Sequence, residues 1–247
     1  MNNSSARICI VLSVVFISFS QCVHAATNAW FASSGLLPSQ TTTNWALSDT
    51  SPGFDPSIAS GVMTLATVAN SEGMFFRQTA NLAIPSNWTM EFRTKLYSRT
   101  TSINFNSSMS VFFTTASSVG NILYFRADEI WLSNALNTRG PSAVLDTDSA
   151  FHTYRIELSS TTLGSAVRVY YDNGALPVLT HQLVGDPSLV GAAARIGFGD
   201  ATAGDSGVTE WEYFWHNGSS VSIVPEPSSL ALFGCTSAIF FSARRKC

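Results

Sequence analysis

The stretch WTMEFRTKLY, Trp88 to Tyr97, alternates residue by residue. Met90, Phe92, Thr94 and Leu96 fall on one side, and Glu91, Arg93 and Lys95 on the other. A period of two sends successive side chains to opposite faces of an extended strand, so the apolar set is buried only if the segment joins a sheet. The pattern recurs in short runs along the middle of the chain: SMSVFFTT (Ser108–Thr115), NILYFRA (Asn121–Ala127), EIWLS (Glu129–Ser133) and FHTYRIELS (Phe151–Ser159). AVRVYYDNGALPVLTHQL (Ala166–Leu183) reads as a hairpin, with Asp172-Asn173-Gly174 as its turn. ARIGFGD and TEWEYFW read as the last two strands. Gly and Pro punctuate these runs at short intervals, and no stretch sustains apolar i, i+3, i+4, i+7 spacing. About ten or more antiparallel strands in a two-sheet sandwich are expected, an all-β fold.

The two ends have a different character. Arg7 precedes an apolar run from Ile8 to Phe19, and Val23-His24-Ala25 supplies tolerated residues for cleavage. Residues 1–25 therefore read as a secretory signal, whose apolar run is too short to span a bilayer comfortably. Cys22 is not an acylation site of the lipoprotein kind, because Gln21 stands where a small residue is required. Of four cysteines, two lie in this signal and two, Cys235 and Cys247, near the C-terminus. None lies between 26 and 224, so that region holds together without disulfides or thiolate-bound metal. Arg7, Arg244, Arg245 and Lys246 also lie in the ends, leaving nine basic against fifteen acidic residues for 26–224, a formal charge of −6. So acidic a region is a poor partner for nucleic acid.

FHTYRIEL, then VRVYYDNG, then ARIGFGDATAGDSGVTEWEYFWHN, resembles the second half of a concanavalin A-like (laminin G-like) jelly roll. The resemblance implies an antiparallel two-sheet jelly-roll sandwich. That fold hosts lectins, glycanases and adhesive modules alike. The C-terminal VPEPSSLALFGCTSAIFFSARRKC resembles a PEP-CTERM sorting signal. Its prolines keep the lead-in extended. Ser228 to Ala243, 16 residues, would span about 24 Å as a helix, and Arg244-Arg245-Lys246 would stay cytoplasmic. The resemblance implies that an exosortase recognises Pro225, Glu226 and Pro227, with Arg244 and Arg245 completing the signal. It further implies a Gram-negative host that makes extracellular polysaccharide. The protein would be held in the inner membrane by a single C-terminal transmembrane helix, then sorted to the cell surface or extracellular matrix.

The expected organisation is thus a signal peptide (1–25), a loosely structured lead-in with one strand near Trp45 (26–60), a β-sandwich (61–218), a linker carrying Pro-Glu-Pro (219–227), and a transmembrane helix with a basic tail (228–247). Within the sandwich, Glu210 and Glu212 lie two apart on one strand, but lack the Glu-x-Asp-x-x-Glu pattern of jelly-roll glycanases, so a solvated face is expected rather than a catalytic pair. Asp200 and Asp205 in GFGDATAGDSG are the pair that would hold a calcium ion; an acidic turn is the simpler reading. His152, His181 and His216 lie on separate strands and form no recognisable site. Alternation places Trp211, Tyr213 and Trp215 together. They are read as core, with a sugar-stacking platform as the alternative. The function expected is a non-enzymatic exported surface protein associated with exopolysaccharide, without a cofactor. A carbohydrate-binding module is the first alternative and a jelly-roll glycanase the second.

Overall fold

The computed structural model describes residues 28–220 except 42–44, 50–54, 68–73, 79–81, 101–108, 117–118, 136–137, 186–193 and 201–205. The expected signal peptide, sorting signal and transmembrane helix lie outside the described residues. Among the described residues no helix is long and apolar enough to cross a membrane.

Two antiparallel sheets make the fold. Sheet A runs, in spatial order, β14 (Leu179–Gln182), β13 (Ala166–Tyr171), β12 (His152–Leu158), β7 (Thr89–Thr100), β17 (Ser206–His216), β4 (Val62–Ala66) and β3 (Ser57–Ala59). β1 (Asn28–Phe31) pairs with the far half of β17, beyond the stretch taken by β4. Sheet B runs β11 (Thr138–Val144), β10 (Glu129–Asn134), β9 (Val119–Arg126), β8 (Met109–Ala116), β16 (Arg195–Asp200), β5 (Met74–Gln78) and β2 (Trp45–Asp49), with β15 (Val184–Gly185) on β9. A two-residue pairing of β6 (Leu82–Ala83) with β18 (Ser219–Ser220) carries the ordered fold past residue 218.

The alternation of WTMEFRTKLY is realised in β7, where Met90, Phe92, Thr94 and Leu96 are buried and Glu91, Arg93 and Lys95 look outward. The DNG turn follows β13, with Asp172 at φ 46° and Asn173 at φ 60°; Gly174 N–H donates to Tyr171 O at 2.9 Å. Two consecutive residues in the left-handed region match the twist of flanking strands, and Asn and Asp tolerate it best.

GFGD in β16 has a packing reason. Phe198 points inward, within 6.0 Å of the rings of Trp30, Trp45, Phe76, Trp211 and Phe214. Gly197 and Gly199 point outward. A Cβ on Gly197 would sit 2.0 Å from the Phe112 ring, and Gly199 has φ 132° with Met74 O 2.5 Å from such a Cβ. Neither position accepts a side chain without displacing a neighbour.

The lead-in is more ordered than its composition predicts. Residues 28–59 carry β1, two 3-10 turns (Ala32–Ser34 and Pro38–Gln40), β2 and β3, and so add strands to both sheets. Trp30 is buried and donates its indole N–H to Leu36 O at 2.8 Å. These strands are short, three to five residues each. The partner of β1, β17, lies far along the chain, which local sequence does not reveal, while β3 forms a hairpin with β4.

Candidate functional site

The decisive local event is a bulge in β17. Trp211 lies opposite Thr94 and Tyr213 opposite Arg93, so Glu212 is an extra residue in the ladder. One extra residue reverses which face every later side chain occupies. Thr209 and Trp211 point inward before the bulge, Phe214 and His216 after it, all buried. Tyr213 and Trp215 therefore turn outward and are only half-buried. The expected grouping of Trp211, Tyr213 and Trp215 against Glu210, Glu212 and Phe214 is corrected accordingly. Trp211 is core, its indole N–H donating to Thr209 Oγ1 at 3.0 Å, and the other two are surface.

Outward placement gives Tyr213 and Trp215 a common partner. The Tyr213 hydroxyl donates to Glu91 Oε1 at 2.9 Å, and Trp215 Nε1 donates to the same oxygen at 3.3 Å. Burial, and the Glu91 carboxylate it donates to, hold the Tyr213 phenol above its ordinary pKa against an opposing Thr153 hydrogen bond. Phe31 of β1, 48% exposed, extends the surface, its ring 5.9 Å from that of Tyr213.

The register of sheet A carries the row onward. Trp215 faces Glu91, Glu91 faces Arg155, and Arg155 faces Tyr170. Arg155 Nε lies 3.0 Å from Glu157 Oε1, and its guanidinium stands 4.4 Å from the Tyr170 ring centroid. Burial, then hydrogen bonding and the charge of Glu157, raise the Tyr170 pKa. An aromatic ring thus stands at each end of a carboxylate–guanidinium pair. Three strand spacings separate the ends, roughly 14 Å.

The remaining expected residues take other places. Glu212 pairs with Arg93 at 2.7 Å on the outer face, and the backbone carbonyl of Glu210 accepts from Thr94 Oγ1 at 2.7 Å. Both residues are half-buried; the Glu212 carboxylate is paired, and the bond at Glu210 is made by its backbone. Asp200 is buried and accepts from Thr67 Oγ1 at 2.5 Å; that hydroxyl also accepts from Gly207 N–H at 3.2 Å. Its carboxylate thereby ties β16 to the start of β17. Asp205 lies outside the described residues. Among the described residues no three His, Cys, Asp or Glu side chains converge.

The histidines sit apart. His152 Nδ1 lies 2.7 Å from Asp172 Oδ2, with its ring stacked on Tyr171. The Tyr171 phenol is pushed up to about 12 by burial and the nearby aspartates Asp172 and Asp146. Burial lowers the His181 pKa against a backbone hydrogen bond at Ser133. His216 is fully buried, accepts from Gly218 N–H at 3.1 Å, and is depressed to about 4 by burial.

Two solved structures overlay this architecture. The carbohydrate esterase vb_24B_21 of the Shiga toxin-encoding bacteriophage phi24B superposes with a TM-score of 0.54 at 15% identity, covering 77% of this chain and 97% of its own. The carbohydrate recognition domain of Emp46p, as a point mutant, superposes with a TM-score of 0.50 at 12% identity, covering 78% and 95%. The chain shares the fold of a carbohydrate recognition domain. An endo-1,3-β-glucanase from Streptomyces sioyaensis aligns at a TM-score of 0.48 and 13% identity, over 73% of this chain and 91% of its own. No protein-family model matches the sequence, and no characterised protein matches it by sequence. At these identities the likeness shows the fold alone, and that fold serves both a carbohydrate recognition domain and a carbohydrate esterase.

Glu91, Arg155 and Tyr170 were not singled out from sequence. Alternation placed Glu91 and Arg155 on outward faces, but only the pairing of β17, β7, β12 and β13 aligns them in one row.

Proposed function

We propose that this is an exported, non-enzymatic surface protein whose sandwich binds polysaccharide on the outer face of sheet A. The observation that carries the reading is the row Trp215–Glu91–Arg155–Tyr170 with Tyr213 beside it. A sugar ring has an apolar C–H face and a rim of hydroxyls, each both donor and acceptor. Half-exposed Trp215 and Tyr170 offer flat apolar surface for the ring face. Between them Glu91 accepts and Arg155 donates, the complement a hydroxyl rim requires. Because the two rings are about 14 Å apart, a ligand touching both is an oligosaccharide. The hydrogen bonds at Glu91 fix Tyr213 and Trp215 before ligand arrives, which lowers the ordering cost of binding.

The non-enzymatic reading rests on the carboxylates. Glu91 is held by two aromatic donors, Glu212 by Arg93 and Glu157 by Arg155. Glycoside hydrolysis requires a carboxylate pair able to act as acid and as nucleophile or base, and these are engaged separately. The leader and sorting signal read from the sequence supply the setting: export, transient retention by the C-terminal helix, exosortase processing at Pro225-Glu226-Pro227, and release beside the cell's own exopolysaccharide.

The test is a glycan-array screen of the full chain, followed by Trp215→Ala. The variant is expected to melt within about 2 °C of the parent and to lose at least tenfold in affinity, about 1.4 kcal/mol, for whichever neutral glycan the parent binds. Undiminished glycan binding by the variant contradicts the site. Release of reducing sugar from the bound polysaccharide favours the glycanase reading.

A further inference from the structure

The outer face of sheet B differs from that of sheet A in charge. Sheet A presents Arg93, Lys95, Arg155 and Arg168 against Glu91, Glu157, Glu210 and Glu212, a balanced set. Sheet B turns the other way. Its inward residues, Met74, Phe76, Ile196, Phe198, Leu123 and Phe125, are buried in the core. The alternating outward positions carry Arg77 in β5, Arg195 in β16, Arg126 in β9 and Arg139 in β11. Among the described residues, Glu129 of β10 is the one carboxylate the strands of this sheet send outward, and it is paired to Arg139. Burial raises the Glu129 pKa, but Ser142, Arg139 and Arg126 outweigh it and hold the carboxyl below its usual range. Asp128 stands beyond the strands, in the turn between β9 and β10. Four of the nine basic residues in 26–224 thus share one face of a region whose formal charge is −6.

Between the arginines lie aromatic rings, with Phe75 and Phe112 half-buried and Tyr124 and Trp131 buried. Phe75 and Phe112 meet edge to face at 5.7 Å, and the Phe112 ring occupies the space Gly197 leaves. Tyr124 stacks on Trp131 at 5.3 Å, while the guanidiniums of Arg126 and Arg139 stand 5.3 and 5.0 Å from the Trp131 ring. Cation–π contact restrains both guanidiniums without consuming their donors. Arg77 is exposed and Arg195 half-buried. From β5 to β11 the cations span five strand spacings, roughly 24 Å.

We propose that the outer face of sheet B is a second ligand surface, for an acidic polysaccharide whose anionic groups are taken by Arg77, Arg195, Arg126 and Arg139. Charge complementarity selects a polyanion. The wide separation of the cations suits a chain with intermittent charges. Duplex DNA, with a charge every ~1.7 Å, would also meet the acidic remainder of the protein. The surface is independent of the neutral-glycan site on sheet A and stands or falls separately from it.

The test is affinity electrophoresis of the full chain through gels containing polygalacturonate, a sulfated glycan, or a neutral β-glucan, with a duplex-DNA shift alongside. Retardation by at least one acidic polysaccharide is expected at 50 mM salt, weakening at least tenfold by 500 mM as counterion competition rises. The polygalacturonate and sulfated arms distinguish carboxylate from sulfate as the anion. The double variant Arg77→Glu/Arg195→Glu should lose at least tenfold of that retardation, keep its melting temperature, and bind neutral glycan as the parent does. Arg77→Gln/Arg195→Gln provides the same reading should the charge reversals disturb folding. Trp215→Ala should leave acidic retardation intact. Absence of retardation in both acidic gels, equal retardation of the glutamine variant, or an equally tight DNA shift would each overturn the assignment.

Discussion

His216 sets a pH dependence that can be read with its sign. Its ring is fully buried, and burial depresses its pKa from 6.5 to about 4. The unfolded chain's histidine takes a proton near the ordinary value, while the folded protein refuses it until about pH 4. The stabilising contribution is therefore complete above pH 6.5 and is lost as pH falls toward 4, by up to about 3 kcal/mol. His216→Gln preserves an acceptor for Gly218 N–H and cannot titrate. Its urea midpoint should vary less than the parent's between pH 6.5 and 4, and identical slopes would show that the buried imidazole is not responsible. Trp211 and Trp215, four residues apart, make a second residue-level contrast. Trp211→Ala opens a cavity against Phe92 and Phe198 and should cost about 3–5 kcal/mol, whereas Trp215 stands outside the core cluster. A thermal melt of both variants checks the expected inequality.

At the scale of the element, the bulge in β17 decides which aromatic residues are structural and which are presented. Deleting Glu212 removes the extra residue, so Trp211, Tyr213, Phe214, Trp215 and His216 would alternate strictly and keep the faces they have. Such a chain should still fold cooperatively, as denaturant unfolding monitored by near-UV circular dichroism would show. Loss of the native-like spectrum or of a steep transition would contradict the assignment of Glu212 as the extra residue. The same element shows how far sequence reaches. The alternation of β7 and β12 was legible because each strand's own period decides its buried face. The bulge was not, since an extra residue exists only relative to a partner, and that partner lies more than a hundred residues away. β1 was obscured in the same way: NAWF is too short to carry a period, and the pairing to β17 makes it a strand, whereas the strand expected near Trp45 is present as β2 on β5. The candidate row was half legible. Glu91 and Arg155 could be placed outward, but their alignment with Trp215 and Tyr170 is a property of sheet order.

For the whole molecule, β16 and β17 enter the middles of sheets B and A respectively, so neither sheet closes until the last fifth of the folded region is in place. Long-range closure of this kind makes folding slow. If the sorting reading holds, the mature protein from its native host lacks residues 1–25 and the segment after about Pro227. Mass spectrometry of secreted material that still ended in Arg244-Arg245-Lys246-Cys247 would favour an ordinary tail anchor.

The central claim, that polysaccharide lies on the outer face of sheet A, is tested most directly by tryptophan accessibility. Of six tryptophans, Trp30, Trp45, Trp88, Trp131 and Trp211 are at most 5% exposed, leaving Trp215 as the half-buried one. Acrylamide quenching of the full chain should therefore contain an accessible component that vanishes in Trp215→Phe. Saturating neutral polysaccharide, identified by the array, should shield that component in the parent. Undiminished quenching of Trp215 while the polysaccharide is demonstrably bound would place the ligand elsewhere and contradict the account.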